Sequence, residues 1–328
     1  MKDVGLTLKH ISVISGINIS TLYKYATTNK IETLESKSKS GRGVKYPPES
    51  VRLILKHFFA DKHPVNPQKK VIAGFHFKGG TGKSSINTET AVMLSLLGYK
   101  VLLVDGDQQG HASHIVGFNA SEKLYTLYDC LKNNLELKDI IINISSGLDV
   151  IPANLSLSDI EDVFRNMDKK EAVKCISSLF SEVQDDYDYI IFDTAPSITD
   201  LNRNIFYYAD VVQIICDTQP ASVHSLSQIQ SYLSEFSFKY ETKNPEIIII
   251  PNKYEDRASS SLETVAFIQQ NWKEYIIPDF AVRKSEDVPR AFLQQSPISF
   301  FCKVNSIAME DFSIVTRNLV QKTQLSIG

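Results

Sequence analysis

The stretch FHFKGGTGKSS, Phe75 to Ser85, decides the fold. It grows out of an apolar run of strand character, Val71–Phe77, and leads into a helical pattern that opens near Lys83. A strand feeding a glycine-rich turn and then a helix makes a phosphate cradle. The glycines let backbone N–H groups crowd the oxygens, and the helix N-terminus adds partial positive charge. Gly79, Gly80, Thr81, Gly82, Lys83, Ser84 and Ser85 are the residues of that cradle. Lys83 is spaced to reach the outer phosphates of a nucleotide, and the Ser84 hydroxyl to sit on Mg²⁺. The strict pattern G-x-x-x-x-G-K-[ST] is not met, because Phe77 stands where its first glycine belongs. The run reads K-G-G-x-G-K-S instead, with a second lysine, Lys78.

Outward from this stretch, strand and helix patterns alternate. Candidate strands are Lys100–Asp105, Leu148–Ile151, Tyr189–Asp193, Val211–Cys216 and Ile247–Ile250; candidate helices cover Ser84–Leu97, Lys169–Val183, Ser222–Phe236 and Ser306–Gln324. Runs such as YIIFD, VVQIIC and EIIII are apolar throughout, as strands covered on both faces are. The expected fold class is α/β: a doubly wound, mainly parallel sheet whose ligands bind beyond the carboxyl ends of the strands. At 328 residues, with 43% hydrophobic and 22% charged residues, the chain has room for one such domain and a small appendage. It contains no apolar run near the roughly 20 residues that span a bilayer, and its first residues, MKDVGLTLKH, lack a secretory apolar core. Cys130, Cys175, Cys216 and Cys302 have no metal-ligand spacing and read as reduced thiols of a cytoplasmic protein.

The net charge of −3 hides an asymmetry. Residues 1–70 hold 13 Lys+Arg and 5 Asp+Glu, a balance of +8, whereas the rest hold 22 and 33, a balance of −11. A basic head on an acidic body points to a polyanionic partner. Within the head, Leu8, Ile11 and Ile14 space one apolar face, Gly16 and Asn18 turn the chain, and Ser20 is placed to cap a second helix containing Leu22. This is the rhythm of a helix-turn-helix, whose second helix would present Thr21, Tyr23, Lys24 and Thr27 to DNA. The basic segment after it, with Arg42 and Lys45, reads as a wing, followed by a helix beginning near Pro48. A plain helical hairpin packed on the body is the alternative. The segment DKHPVNPQKK, Asp61–Lys70, has linker composition and sets the expected division into residues 1–65 and 66–328.

Two further boxes follow. VLLVDGDQQGHAS, Val101–Ser113, ends a strand in Asp105 and Asp107, and YDYIIFDTAPS, Tyr187–Ser197, ends another in Asp193. A carboxylate at a strand's carboxyl rim can order an attacking water or hold Mg²⁺ with Ser84; acids there also often merely cap the next helix. The lysine pair around the glycines, the D-x-D-Q-Q-G run and the D-T-A-P turn together resemble the deviant Walker A ATPases of the ParA/MinD family. They are most similar to plasmid-type ParA proteins with an N-terminal helix-turn-helix. That resemblance implies an ATP- and Mg²⁺-dependent ATPase with Lys78, Lys83 and Asp107 in catalysis, Lys78 crossing to the nucleotide of a partner subunit, and Asp105 supporting the magnesium shell. It places Pro220, in DTQPAS, and Asn252, in IIIIPNKYEDR, near the nucleotide, although Asn252-Lys253 also begins an N-K-x-D guanine box that Glu255 does not complete. It makes Arg283, Lys284 and Arg290 candidates for non-specific DNA contact. The implied role is DNA segregation by an ATP-bound homodimer on the nucleoid, with a ParB-type centromere-binding partner, no membrane contact and autoregulation of the operon through the head. The alternatives are an ATP-responsive transcriptional repressor without a segregation role and a cargo-positioning ATPase of MinD type. A reductase of the nitrogenase iron-protein type lacks its cluster cysteines here.

Overall fold

The structure, a computed structural model, describes residues 4–34, 43–59, 67–119 and 123–324. Arg42 and residues 61–66, the first part of the expected linker, lie outside the described residues. The body is a seven-stranded sheet in the order β3-β4-β2-β5-β1-β6-β7. Its strands are β1 (Lys70–Phe75), β2 (Val101–Gly106), β3 (Ile142–Ser145), β4 (Leu148–Ile151), β5 (Tyr189–Thr194), β6 (Val211–Asp217) and β7 (Glu246–Asn252). All neighbours run parallel except the edge pair β3–β4. β2, β5 and β6 are buried at every position, which is why they read as continuous apolar runs.

Along the chain the helices are α1 (Leu8–Ser15), α2 (Ile19–Thr28), α3 (Pro48–Phe59), α4 (Lys83–Leu97), α5 (His111–Ile115), α6 (Leu127–Asn133), α7 (Ile160–Arg165), α8 (Lys169–Ala172) and α9 (Cys175–Phe180). They continue as α10 (Asp200–Tyr208), α11 (Pro220–Tyr240), α12 (Ser259–Asn271), α13 (Asp287–Gln294), α14 (Ile298–Phe301) and α15 (Ile307–Gln324). One helix was expected over Lys169–Val183. Two short ones form instead, because Asp168 caps the first and the second restarts with Ile176 N–H bonded 3.1 Å to the Asn204 amide oxygen.

In the head, α1 is capped by Thr7 and stopped by Gly16 at φ +73°. The cap of α2 is Asn18, whose side chain accepts from Ser20 N–H, rather than Ser20 as its position suggested. Tyr46 pairs with Leu6, and Leu34 N–H donates 2.9 Å to Lys45 O, closing the head around α3. The head does not stand apart from the sheet. Ile11, Ile14, Leu22, Val51, Ile54 and Leu55 belong to the same buried cluster as Val92, Leu96, Phe312 and Val315 of α4 and α15. Polar ties cross the seam as well. Arg317 donates to Val13 O and Ile14 O at 2.7 and 2.9 Å, His10 Nε2 to Cys302 O at 3.0 Å, and Arg52 to the Ser95 and Tyr99 carbonyls at the end of α4.

Candidate nucleotide site

The carboxyl ends of β1, β2, β5, β6 and β7 converge on the turn between β1 and α4. Gly80 and Gly82 take φ of +74° and +95°, values that glycine adopts without strain. At Gly82 a side chain would also run into the Asn252 amide. That amide donates 2.7 Å to Thr81 O, and the Lys253 ammonium donates to Gly80 O, so the end of β7 braces the turn from behind. Asn252 is therefore occupied with the turn's backbone. Gly79 and Gly80 are exposed, and Thr81 and Lys83 are buried.

Lys83 opens α4 and is only 6% exposed. Burial pulls its pKa down, while Asp193 and then Asp107 pull it back up. Burial is the larger effect, and the two carboxylates offset it only in part. Asp193 is fully buried beside Asp105, its register partner on β2, and burial pushes both acids up. The Ser84 hydroxyl, the Asn87 amide and Lys83 oppose that rise at Asp193. Asp105 accepts from Asp107 N–H at 3.1 Å and from Ser113 N–H and Oγ at 2.8 and 2.7 Å, so both its oxygens fasten the turn into α5. Asp107, two residues on, is 9% exposed and accepts from Gln109 N–H at 3.0 Å.

Lys78 is tied at both ends. Its backbone N–H donates 3.0 Å to His76 Nδ1, so the ring proton sits on Nε2, which faces Ser222 O at 3.4 Å. Ser222 Oγ donates to Asp217, and the other oxygen of Asp217 takes the Lys78 ammonium at 2.9 Å. His76, Ser222, Asp217 and Lys78 thus close a ring. The imidazole stays neutral: burial first, and the nearby Lys83 and Lys78 cations with it, bring its pKa down to about 4. Pro220 stands at the start of α11, three residues from Asp217.

Four buried polar atoms here have no protein partner: Thr81 Oγ1, Asp193 Oδ2, Asn87 Oδ1 and Thr88 Oγ1. Unpartnered buried oxygens, exposed glycine amides and a buried lysine fit a phosphate chain carrying a divalent cation. Mg²⁺ needs only one or two protein oxygens besides phosphate and water.

The expected DNA contacts fall in two places. Thr21, Tyr23, Lys24 and Thr27 are exposed on α2, Tyr23 at 62%, and Lys45 follows on the strand-like return. The late cations are engaged by acids: Arg283 with Asp311 and Glu310, Lys284 with Glu255 at 3.0 Å, Arg290 with Asp287 at 3.0 Å. Asp311, 1% exposed, accepts from both the backbone N–H and the guanidinium of Arg283. His76, Asp217, Ser222 and Asn87 did not emerge from the sequence reading, and Lys253 only as part of the N-K run. Asp217 alone carried a signal, a carboxylate at a strand's carboxyl end.

A family model described as an AAA domain matches residues 69–270. The cell division protein PomZ of Myxococcus xanthus is 27% identical over 263 residues, covering 80% of this chain and 81% of that one. The virulence plasmid ParA family protein pGP5-D of Chlamydia psittaci is 28% identical over 257 residues, covering 77% and 95%. Among solved structures, an ATP complex of a Cyanothece McdA variant superposes with a TM-score of 0.68 at 18% identity, over 78% of this chain and 97% of that one. A plasmid partition protein of Borrelia burgdorferi bound to AMPPNP does so at 0.62 and 24% identity, over 78% and 99%. With its lysine-flanked glycine turn, buried strand-end carboxylates and this match across most of the body, the chain belongs to the AAA domain family as an ATPase of the ParA/MinD type.

Proposed function

We propose that this protein is a DNA-segregation ATPase of ParA type that uses ATP with Mg²⁺ and dimerises on the bound nucleotide. The observation that carries the reading is the pair of lysines around one glycine turn, one buried among carboxylates and the other held at the surface. The amides of Gly79–Lys83 would receive the phosphate chain, with Thr81, Ser85 and Pro220 bordering it. Lys83 would neutralise charge on the outer phosphates, which needs no reorganisation because it is already buried there. Ser84 and Asp193 would hold Mg²⁺, whose chemistry is to draw charge from the phosphate oxygens. Asp107, the more accessible acid of its pair, would order the attacking water, while Asp105 fixes the loop that carries it. Both oxygens of the neighbouring Asp105 are already taken by the Asp107 and Ser113 donors, which leaves no free general base beside Asp107, so turnover should be slow. Lys78 would leave Asp217 to reach the partner subunit's nucleotide, making the dimer conditional on triphosphate.

Two surfaces would meet DNA: α2 with Thr21, Tyr23 and Lys24, joined by Lys45, and the Lys284–Arg290 region after exchange of its acids for phosphates. The names of the relatives, a cell division protein and plasmid ParA proteins, support a cargo-segregating role with a ParB-type partner. That role would place the protein in the cytoplasm on the nucleoid; among the described residues no helix is long and apolar enough to cross a membrane. A second reading, an ATP-responsive repressor without segregation, draws on the packing of the head against α4, the helix that begins at Lys83.

Binding to a random-sequence duplex separates them, measured without nucleotide, with ADP, and with ATP plus Mg²⁺, for wild type and Lys78→Gln. ATP-dependent binding abolished by the substitution supports the segregation reading. Binding indifferent to nucleotide, or unchanged in Lys78→Gln, overturns it and leaves the repressor in front.

A further inference from the structure

Asn87 lies one turn beyond Ser84 on α4, on the face turned to the sheet, and is completely buried. Its Nδ2 donates 2.8 Å to Asp193 Oδ1. An ionised carboxylate only accepts, so the NH₂ end must face it. The Asn87 amide oxygen is then left without a partner, as is Asp193 Oδ2. An asparagine retained merely to fill space would gain from a partner at both ends. Here one end is sacrificed to hold the carboxylate.

The opposite wall explains how the amide fits. Gly74 of β1 pairs in register with Asp193, and a side chain there would fall inside contact distance of all three amide atoms of Asn87. Gly74 is thus the bare spot in an apolar strand that admits a polar side chain beneath α4. The Thr194 hydroxyl donates 2.7 Å to Gly74 O and fixes β5 against β1 at the same level. Helix, central strand and carboxylate are locked around one hydrogen bond.

We infer that Asn87 is a positioning residue for the cation site. It pins Oδ1 of Asp193 and so leaves Oδ2 unpartnered for the cation. The inference rests on the reading of Asp193 and Ser84 as cation holders, and adds to it the residue that sets their geometry. It also gives Gly74 a role that phosphate binding alone does not demand.

The test is Mg²⁺ titration of a fluorescent ATP analogue binding to the full chain, with thermal unfolding alongside. The variants are Asn87→Ala and the double Gly74→Ala/Asn87→Ala, in which the new methyl refills the space left by the amide without restoring the donor. Both should need about tenfold more Mg²⁺ for half-maximal binding, the scale of a lost hydrogen bond to a charged group. Affinity without Mg²⁺ should be unchanged. The melting point should fall in the single variant and recover in the double. Mg²⁺ dependence that recovers together with stability, or stays unchanged in a folded Asn87→Ala, overturns the inference and makes Asn87 a packing residue. If wild type binds the analogue equally with and without Mg²⁺, the cation reading itself fails, and this inference falls with it.

Discussion

Glu89→Gln is the substitution whose effect can be worked most fully from the structure. Glu89 projects from the second turn of α4 and is 1% exposed. Its oxygens accept from Ile298 N–H at 2.8 Å and Ser299 N–H at 3.0 Å, and from the Ser299 hydroxyl, capping the start of α14. Burial outweighs those three donors and raises its pKa from the ordinary 4.5 to about 7. The folded pKa therefore lies above the unfolded one. Between them the folded chain holds a proton that the unfolded chain has lost, so stability is greatest below about pH 4.5 and is lost as pH rises through 7. The size of that loss is on the order of 3 kcal/mol. Glutamine cannot ionise, and its missing acceptor costs the same at every pH. The pH-dependent part of the difference between variant and wild type thus isolates the charge. With an unfolding entropy of about 2.1 cal/mol/K per residue over 328 residues, and about 2.5 kcal/mol of the loss falling above pH 5, the variant should gain about 3–4 °C on wild type between pH 5 and pH 8.5. Thermal unfolding without nucleotide, followed by circular dichroism, reads this directly. A difference that stays flat within about 1 °C would refute the reasoning, because it would mean the three donors fully offset burial.

Two further outcomes follow from the glycine turn and the lysine ring. Gly82→Ala places a side chain at φ +95° against the Asn252 amide. Strain of about 1–3 kcal/mol should weaken binding of a fluorescent ATP analogue by about tenfold or more; unchanged affinity would remove this turn from the nucleotide site. Asp217→Asn removes the charged partner of Lys78, which is 44% exposed, so the contact is a weak one. Sedimentation velocity with ATP should show self-association at a concentration only about two- to fivefold lower than wild type. No shift would mean that Asp217 does not compete for Lys78.

The sheet was legible because its strands are buried on both faces and end in functional residues. Leu148–Ile151 was bounded correctly, and the other core strands within two residues. The edge strand β3 escaped notice: its four residues, INIS, are half-exposed and too short to show a period. The phosphate turn, Lys83, Asp107 and Asp193 declared themselves through spacing to glycines or to strand ends. Asn87, His76 and Ser222 did not, since Asn87 meets Asp193 across 106 positions and His76 meets Ser222 across 146, pairings that only the fold makes. The partners of the late cations were equally hidden. Arg283 stands in a basic run, but its acids come from α15, 27 and 28 residues later.

The seam between head and body has a consequence for how such a protein can be built or cut. Removing residues 1–65 would strip Ile11, Ile14, Val51, Ile54 and Leu55 from a cluster they share with α4 and α15, and leave an apolar scar on the nucleotide-binding half. That fragment is expected to self-associate or precipitate. Exchange of heads between relatives would have to carry matching α4 and α15 surfaces along, so the two ends of the gene must change together.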